Sequence, residues 1–93
     1  MKSALIVDDH PVVRAAIRIV LQGEGFKRIY EASQGNEVVS LIREHQPRLV
    51  ILDLNLPVLG GLEVLARIKQ LRRDGTDLAR KSVVLIPDGM AIV

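Results

Sequence analysis

Leu49-Val50-Ile51-Leu52-Asp53-Leu54-Asn55-Leu56-Pro57 runs four apolar residues straight into a carboxylate, with a proline four residues beyond it. An unbroken apolar run of this length reads as a strand buried on both faces, the kind found in parallel sheets. Asp53 then sits at the C-terminal end of the strand, where open α/β sheets place their ligands. An earlier apolar run, Ala4-Leu5-Ile6-Val7, ends the same way in Asp8-Asp9. In a parallel sheet the two ends lie side by side, so three carboxylates share one crevice. Like charges held that close repel one another, which raises pKa values or calls for a cation. An all-oxygen cluster suits a hard ion, Mg²⁺ above all.

The remaining chain supplies the elements such a sheet needs. Residues 3–8 read as the first strand. Pro11 suits the first turn of a helix, where its missing N–H costs nothing, and Asp9 is placed either to cap that helix or to ligate a metal. The second acid beside it favours the metal. The first helix spans about Pro11 to Gln22. Val13, Ala16, Ile17, Val20 and Leu21 form one apolar stripe, and Val12, Ala15 and Ile19 form a second, with Arg14 and Arg18 as polar relief. Such a helix packs against two neighbours or docks a partner. Gly23 and Gly25 end it.

Arg28–Ala32 reads as a short second strand whose mixed polarity fits a sheet edge. Ser33-Gln34-Gly35-Asn36 is a turn, and a second helix follows to about His45, with Val38, Leu41 and Ile42 inward and His45 at the surface. A third helix runs from about Leu62 to Arg73, and Ser82–Ile86 is a fourth strand-like run. The order β-α-β-α-β-α-β argues for a parallel, doubly wound sheet with helices on both faces, joined by right-handed crossovers.

Composition bounds the function. The chain has 93 residues, enough for one domain. With no Cys there is no disulfide, thiolate catalysis or Cys-based zinc site. No signal peptide and no membrane-length apolar stretch are visible, so a cytoplasmic protein is expected. Residues 66–93 are basic, with six Lys/Arg against three Asp/Glu. This is either a solvated helix face or an electrostatic patch for nucleic acid or an acidic partner. One Tyr and one Phe leave no stacking platform for single-stranded nucleic acid, and no helix-turn-helix is present. Direct DNA binding is not expected.

The acidic pair Asp8-Asp9, the lone Asp53, and Asp53-Leu54-Asn55-Leu56-Pro57 with Gly61 four residues after the proline together resemble the receiver domain of bacterial two-component response regulators. Val7-Asp8-Asp9-His10-Pro11-Val12-Val13-Arg14 is most similar to regulators that carry a LuxR-type helix-turn-helix after the receiver. The likeness runs through about residue 73 and implies a flavodoxin-like fold. It also implies a phosphoryl acceptor at Asp53, served by a sensor histidine kinase, and Mg²⁺ held by Asp9, Asp53 and the backbone carbonyl of Asn55, with Asp8 acting through water. Pro57 and Gly61 would shape the loop beside the site, and the first helix would help dock the kinase. The chain would be a phosphoryl-accepting regulator and not a turnover enzyme.

The likeness is incomplete. The family has five strands and five helices, and this chain ends after a fourth strand, which reads as a truncated receiver over 1–93 without an output domain. Pro87 stands where the family places a Ser or Thr hydroxyl, and the family's Lys on strand five has no counterpart. An impaired switch is expected, and exposed apolar surface with an open strand edge implies a homodimer or domain-swapped oligomer. A non-switching interaction module that occupies a kinase or a full-length regulator is the competing reading. A haloacid dehalogenase-type phosphatase is disfavoured, because it needs an acid two residues after the nucleophile and Asn55 stands there.

Overall fold

The computed structural model describes residues 2–53, 56, 60–73 and 82–86, with side chains left out at 61, 71–73 and 82–86. Its elements are β1 (Ser3–Val7), α1 (Pro11–Gly23), β2 (Arg28–Ala32), a 3₁₀ turn (Gly35–Glu37), α2 (Val38–His45), β3 (Leu49–Asp53), α3 (Gly61–Arg73) and β4 (Ser82–Ile86). The four strands form one sheet in the order β2-β1-β3-β4. Every pairing is parallel. β2 lies at an edge, as its mixed polarity predicts, and β4 is the other edge.

Side-chain alternation along the strands explains why β1 and β3 are apolar without interruption. Leu5, Val7, Val50 and Leu52 point to one face, where Val38 and Ile42 of α2 and Val64 and Ile68 of α3 cover them. Ala4, Ile6 and Ile51 point to the other, under Ile17 and Leu21 of α1. Both faces are dry, so the interior positions of both strands are apolar, and the polar residues Ser3 and Asp53 stand at strand ends. The acids that close the two apolar runs, Asp8 and Asp53, are thereby driven to one rim.

Helix α1 begins at Pro11, and His10 is its N-cap residue without a side-chain capping bond. Asp9 is therefore not the cap. The Asp8 carboxylate takes the backbone N–H of His10 at 2.8 Å in the turn that leads from β1 into the helix. The C-terminus is a Schellman closure: Phe26 N–H donates to Leu21 O at 3.0 Å and Gly25 N–H to Gln22 O at 3.1 Å. Gly25 takes φ +90°, which a side chain would resist. Phe26 and Leu21 then join the same apolar cluster.

Only part of the expected α1 packing occurs. Ile17 and Leu21 are buried and Val13 is partly so, whereas Val20 is 56% exposed, Ile19 69% and Val12 81%. The buried stripe centres between Ile17 and Leu21, and Val20 falls on its flank. Helix α2 ends with Gln46 in the left-handed region (φ 51°), its N–H bonded to Ile42 O at 2.8 Å, before a buried Pro47. His45 is half-buried and stacks on Tyr30 of β2, ring centroids 3.8 Å apart.

Candidate metal and phosphoryl site

The β1–β3 register sets Val7 beside Leu52. One step further along each strand come Asp8 and Asp53, both 0% exposed. The Asp8 backbone N–H donates to Ala32 O at 3.0 Å, so β2 pins the exit of β1 from its other side. Asp9, next in the chain, is only partly buried and faces the same pocket. Asp8, Asp9 and Asp53 thus come together at the C-terminal rim of the sheet, where the strand ends predict them. The expected roles of Asn55, Pro57 and Pro87 lie outside the described residues, as does most of the basic segment.

His10 joins the cluster and was not anticipated. Its Nδ1 lies 2.7 Å from Asp8 Oδ1, 3.0 Å from Asp9 Oδ1 and 3.9 Å from Asp53 Oδ2. The hydrogen bond to Asp8, reinforced by the nearby carboxylates, raises the His10 pKa above the usual imidazole value. The signal that could have found it is its place immediately after an acidic pair at a strand end. One ligand atom from each of Asp8, Asp9, His10 and Asp53 can be chosen so that all lie within 4.8 Å of one another.

Asp8 Oδ2 is buried and accepts no hydrogen bond from the described residues. A fully buried carboxylate oxygen without a donor is costly. A divalent cation relieves that cost better than a neutral donor does, because it also screens the neighbouring carboxylates. The donor set, carboxylate oxygens at the mouth of a parallel sheet, fits a hard ion such as Mg²⁺.

Two arginines support the rim. Arg14 Nη1 donates to the backbone carbonyl of Asp8 at 2.6 Å, while its Nε donates to Glu31 Oε1 at 3.0 Å. Arg18 donates from Nε and Nη2 to Glu31 Oε2, at 2.9 and 2.6 Å, and from Nη2 to Ile29 O at 3.0 Å. Glu31 is held below the usual glutamate pKa, first by the Arg18 hydrogen bond and then by Arg14, against an opposing effect of burial. The clamp ties α1 to edge strand β2. Residues read as polar relief therefore fasten the turn that carries the acidic pair. The sequence spacing hides this, since Arg14 and Glu31 are 17 residues apart.

Among the described residues no helix is long and apolar enough to cross a membrane. The family model of the response regulator receiver domain matches residues 4–80. BvgA, a virulence-factor transcription regulator of Bordetella pertussis, is 48% identical over 67 residues, covering 72% of this chain and 32% of BvgA. The response regulator UvrY of Escherichia coli is 39% identical over 75 residues, covering 80% of this chain and 34% of UvrY. The chain spans about a third of the length of these curated relatives. The response regulator TrrA of Thermotoga maritima, solved in complex with Mg²⁺-BeF, superposes with TM-score 0.72 at 31% identity, over 92% of this chain and 87% of that one. With its parallel sheet, its helices on both faces and its acidic rim, the chain belongs to the response regulator receiver domains of two-component systems.

Proposed function

We propose that the chain accepts a phosphoryl group on Asp53 from a phosphohistidine of a sensor kinase, in a Mg²⁺-dependent reaction. The observation that carries this reading is the convergence of Asp8, Asp9 and Asp53 on one rim around a buried Asp8 oxygen that has no donor among the described residues. Asp9, Asp53 and the Asn55 carbonyl would hold the ion, with Asp8 bound through water. The ion supplies neutralising charge to the oxygens of the transferring phosphoryl group. An Asp53 carboxylate oxygen attacks phosphorus as the phosphorus–nitrogen bond breaks. The electron pair passes to the leaving imidazole, and Asp53 becomes an acyl phosphate. Burial of Asp53 within the rim limits access of water to that bond. Pro87 after β4, which has no hydroxyl, supports a weakened switch on phosphorylation. The mechanism makes the chain a regulator and not a turnover enzyme.

The apolar outer face of α1, with Val12, Ile19 and Val20 exposed, supports the second reading, in which this surface binds a kinase or a full-length regulator without phosphorylation. The primary reading is tested with beryllium fluoride, a phosphoryl mimic, followed by ¹⁹F NMR in the presence of Mg²⁺. Protein-bound fluoride resonances are expected with the wild type and not with Asp53→Asn. Their absence from a folded wild-type chain contradicts the assignment and leaves the interaction module as the better account.

A further inference from the structure

Four donor groups meet at the rim, and one of them is a nitrogen. The carboxylate set alone describes an oxygen site. The position of His10 changes its chemistry. Its Nδ1 stands 2.7 Å and 3.0 Å from oxygens of Asp8 and Asp9. Neighbouring ligands around a small six-coordinate ion, with bonds of about 2.1 Å, stand about 3 Å apart. The 3.0 Å spacing to Asp9 is that of adjacent ligands on one ion, while the 2.7 Å contact with Asp8 is a hydrogen bond that keeps the imidazole beside the pocket.

His10 is held near the site by its backbone, and its ring keeps freedom to adjust. The N–H of His10 is fixed on Asp8 Oδ1 at 2.8 Å, and Pro11 opens α1 directly after it. The side chain is 52% exposed and caps nothing, so no core packing locks the imidazole. The buried Asp8 Oδ2, which has no hydrogen-bond partner among the described residues, is a second and independent mark that the pocket is built for a cation.

We propose that His10 is a metal-selectivity residue: its imidazole joins Asp9 and Asp53, with Asp8 alongside through water, as a nitrogen ligand for divalent transition metals such as Mn²⁺ and Ni²⁺. This rests on the metal-site reading above. Mg²⁺ dehydrates reluctantly and prefers oxygen, so it gains little from the imidazole. Imidazole suits the later first-row ions, whose affinity for a given N/O site rises from Mn²⁺ to Ni²⁺. The site therefore accepts Mg²⁺ through its carboxylates and binds transition ions more tightly through His10.

The test is calorimetric titration of the 93-residue chain with Mg²⁺, Mn²⁺ and Ni²⁺ separately. The proteins are the wild type, His10→Ala, Asp53→Asn, and His45→Gln as a control for surface binding. His10→Ala should weaken Ni²⁺ binding at least about tenfold and leave Mg²⁺ affinity within about twofold. His45→Gln should change neither. In wild type with ¹⁵N-labelled histidine, sub-stoichiometric Ni²⁺ should broaden the His10 ring resonances first. Equal changes for Ni²⁺ and Mg²⁺, or no loss of Ni²⁺ affinity in His10→Ala, overturn the assignment of His10 while Mg²⁺ binding by the carboxylates stands. Failure of the wild type to bind Mg²⁺, or binding undiminished by Asp53→Asn, overturns the metal site itself and the His10 proposal with it.

Discussion

Asp8 and Asp53 occupy fully buried positions beside one another at the end of a hydrophobic sheet. Two carboxylates there repel, and the cost is borne by the fold. In metal-free buffer, Asp53→Asn should therefore raise stability by about 0.5–2 kcal/mol. Saturating Mg²⁺, about 100-fold above its Kd, should stabilise the wild type by about 2.7 kcal/mol and the variant far less. Thermal melts with and without the ion read both effects. A variant less stable than wild type in chelator contradicts the repulsion argument. Glu31 works in the opposite direction. Its folded-state pKa is lowered by Arg18 and Arg14, so its stabilising contribution is complete above the unfolded-state pKa and is lost as pH falls through the folded-state value. Urea denaturation should show Glu31→Gln about 1 kcal/mol less stable than wild type at neutral pH, with the gap closing on acidification. A gap independent of pH would assign the effect to packing.

At the scale of elements, α1 presents two faces with opposite energetics. Ile17 is 2% exposed under the sheet and Ile19, two residues on, faces solvent. Ile17→Ala should cost about 2–5 kcal/mol and Ile19→Ala no more than about 0.5 kcal/mol, measured by chemical denaturation. Both are read at a concentration low enough to keep the chain monomeric, and comparable costs there would contradict the exposure of the outer face. The same helix separates what local sequence encodes from what it does not. Its start at Pro11 and its end near Gly23 follow from backbone chemistry and are legible, as are the buried strands with their terminal acids. The capping role considered for Asp9 is not realised, because the helix starts at Pro11 and leaves His10 in the N-cap position. Val20 lies on the flank of a stripe whose centre is fixed only once β1 and β3 are in place beneath it. His10 in the cluster, and Arg14 and Arg18 on Glu31, depend on which strands become neighbours and so cannot be read from spacing along the chain.

For the whole molecule, the sheet order explains why so much of the site is readable. Placing β1 and β3 at the centre brings together the only two strand ends that carry acids directly after an apolar run, and the connections need only be right-handed to do so. The same architecture leaves two strand edges and the outer face of α1 open among the described residues. Sedimentation equilibrium should give a mass above the monomer that rises with concentration, and Ile19→Glu should return it to the monomer. A folded wild-type chain that stays monomeric at high concentration contradicts association through this face. A rim that works as a phosphoryl acceptor is read out by intact mass after incubation with a small phosphodonor. The wild type in Mg²⁺ should gain one phosphoryl group, with no gain in chelator or in Asp53→Asn. A folded wild-type chain that gains no mass, or a gain that survives Asp53→Asn, would contradict phosphoryl acceptance at Asp53.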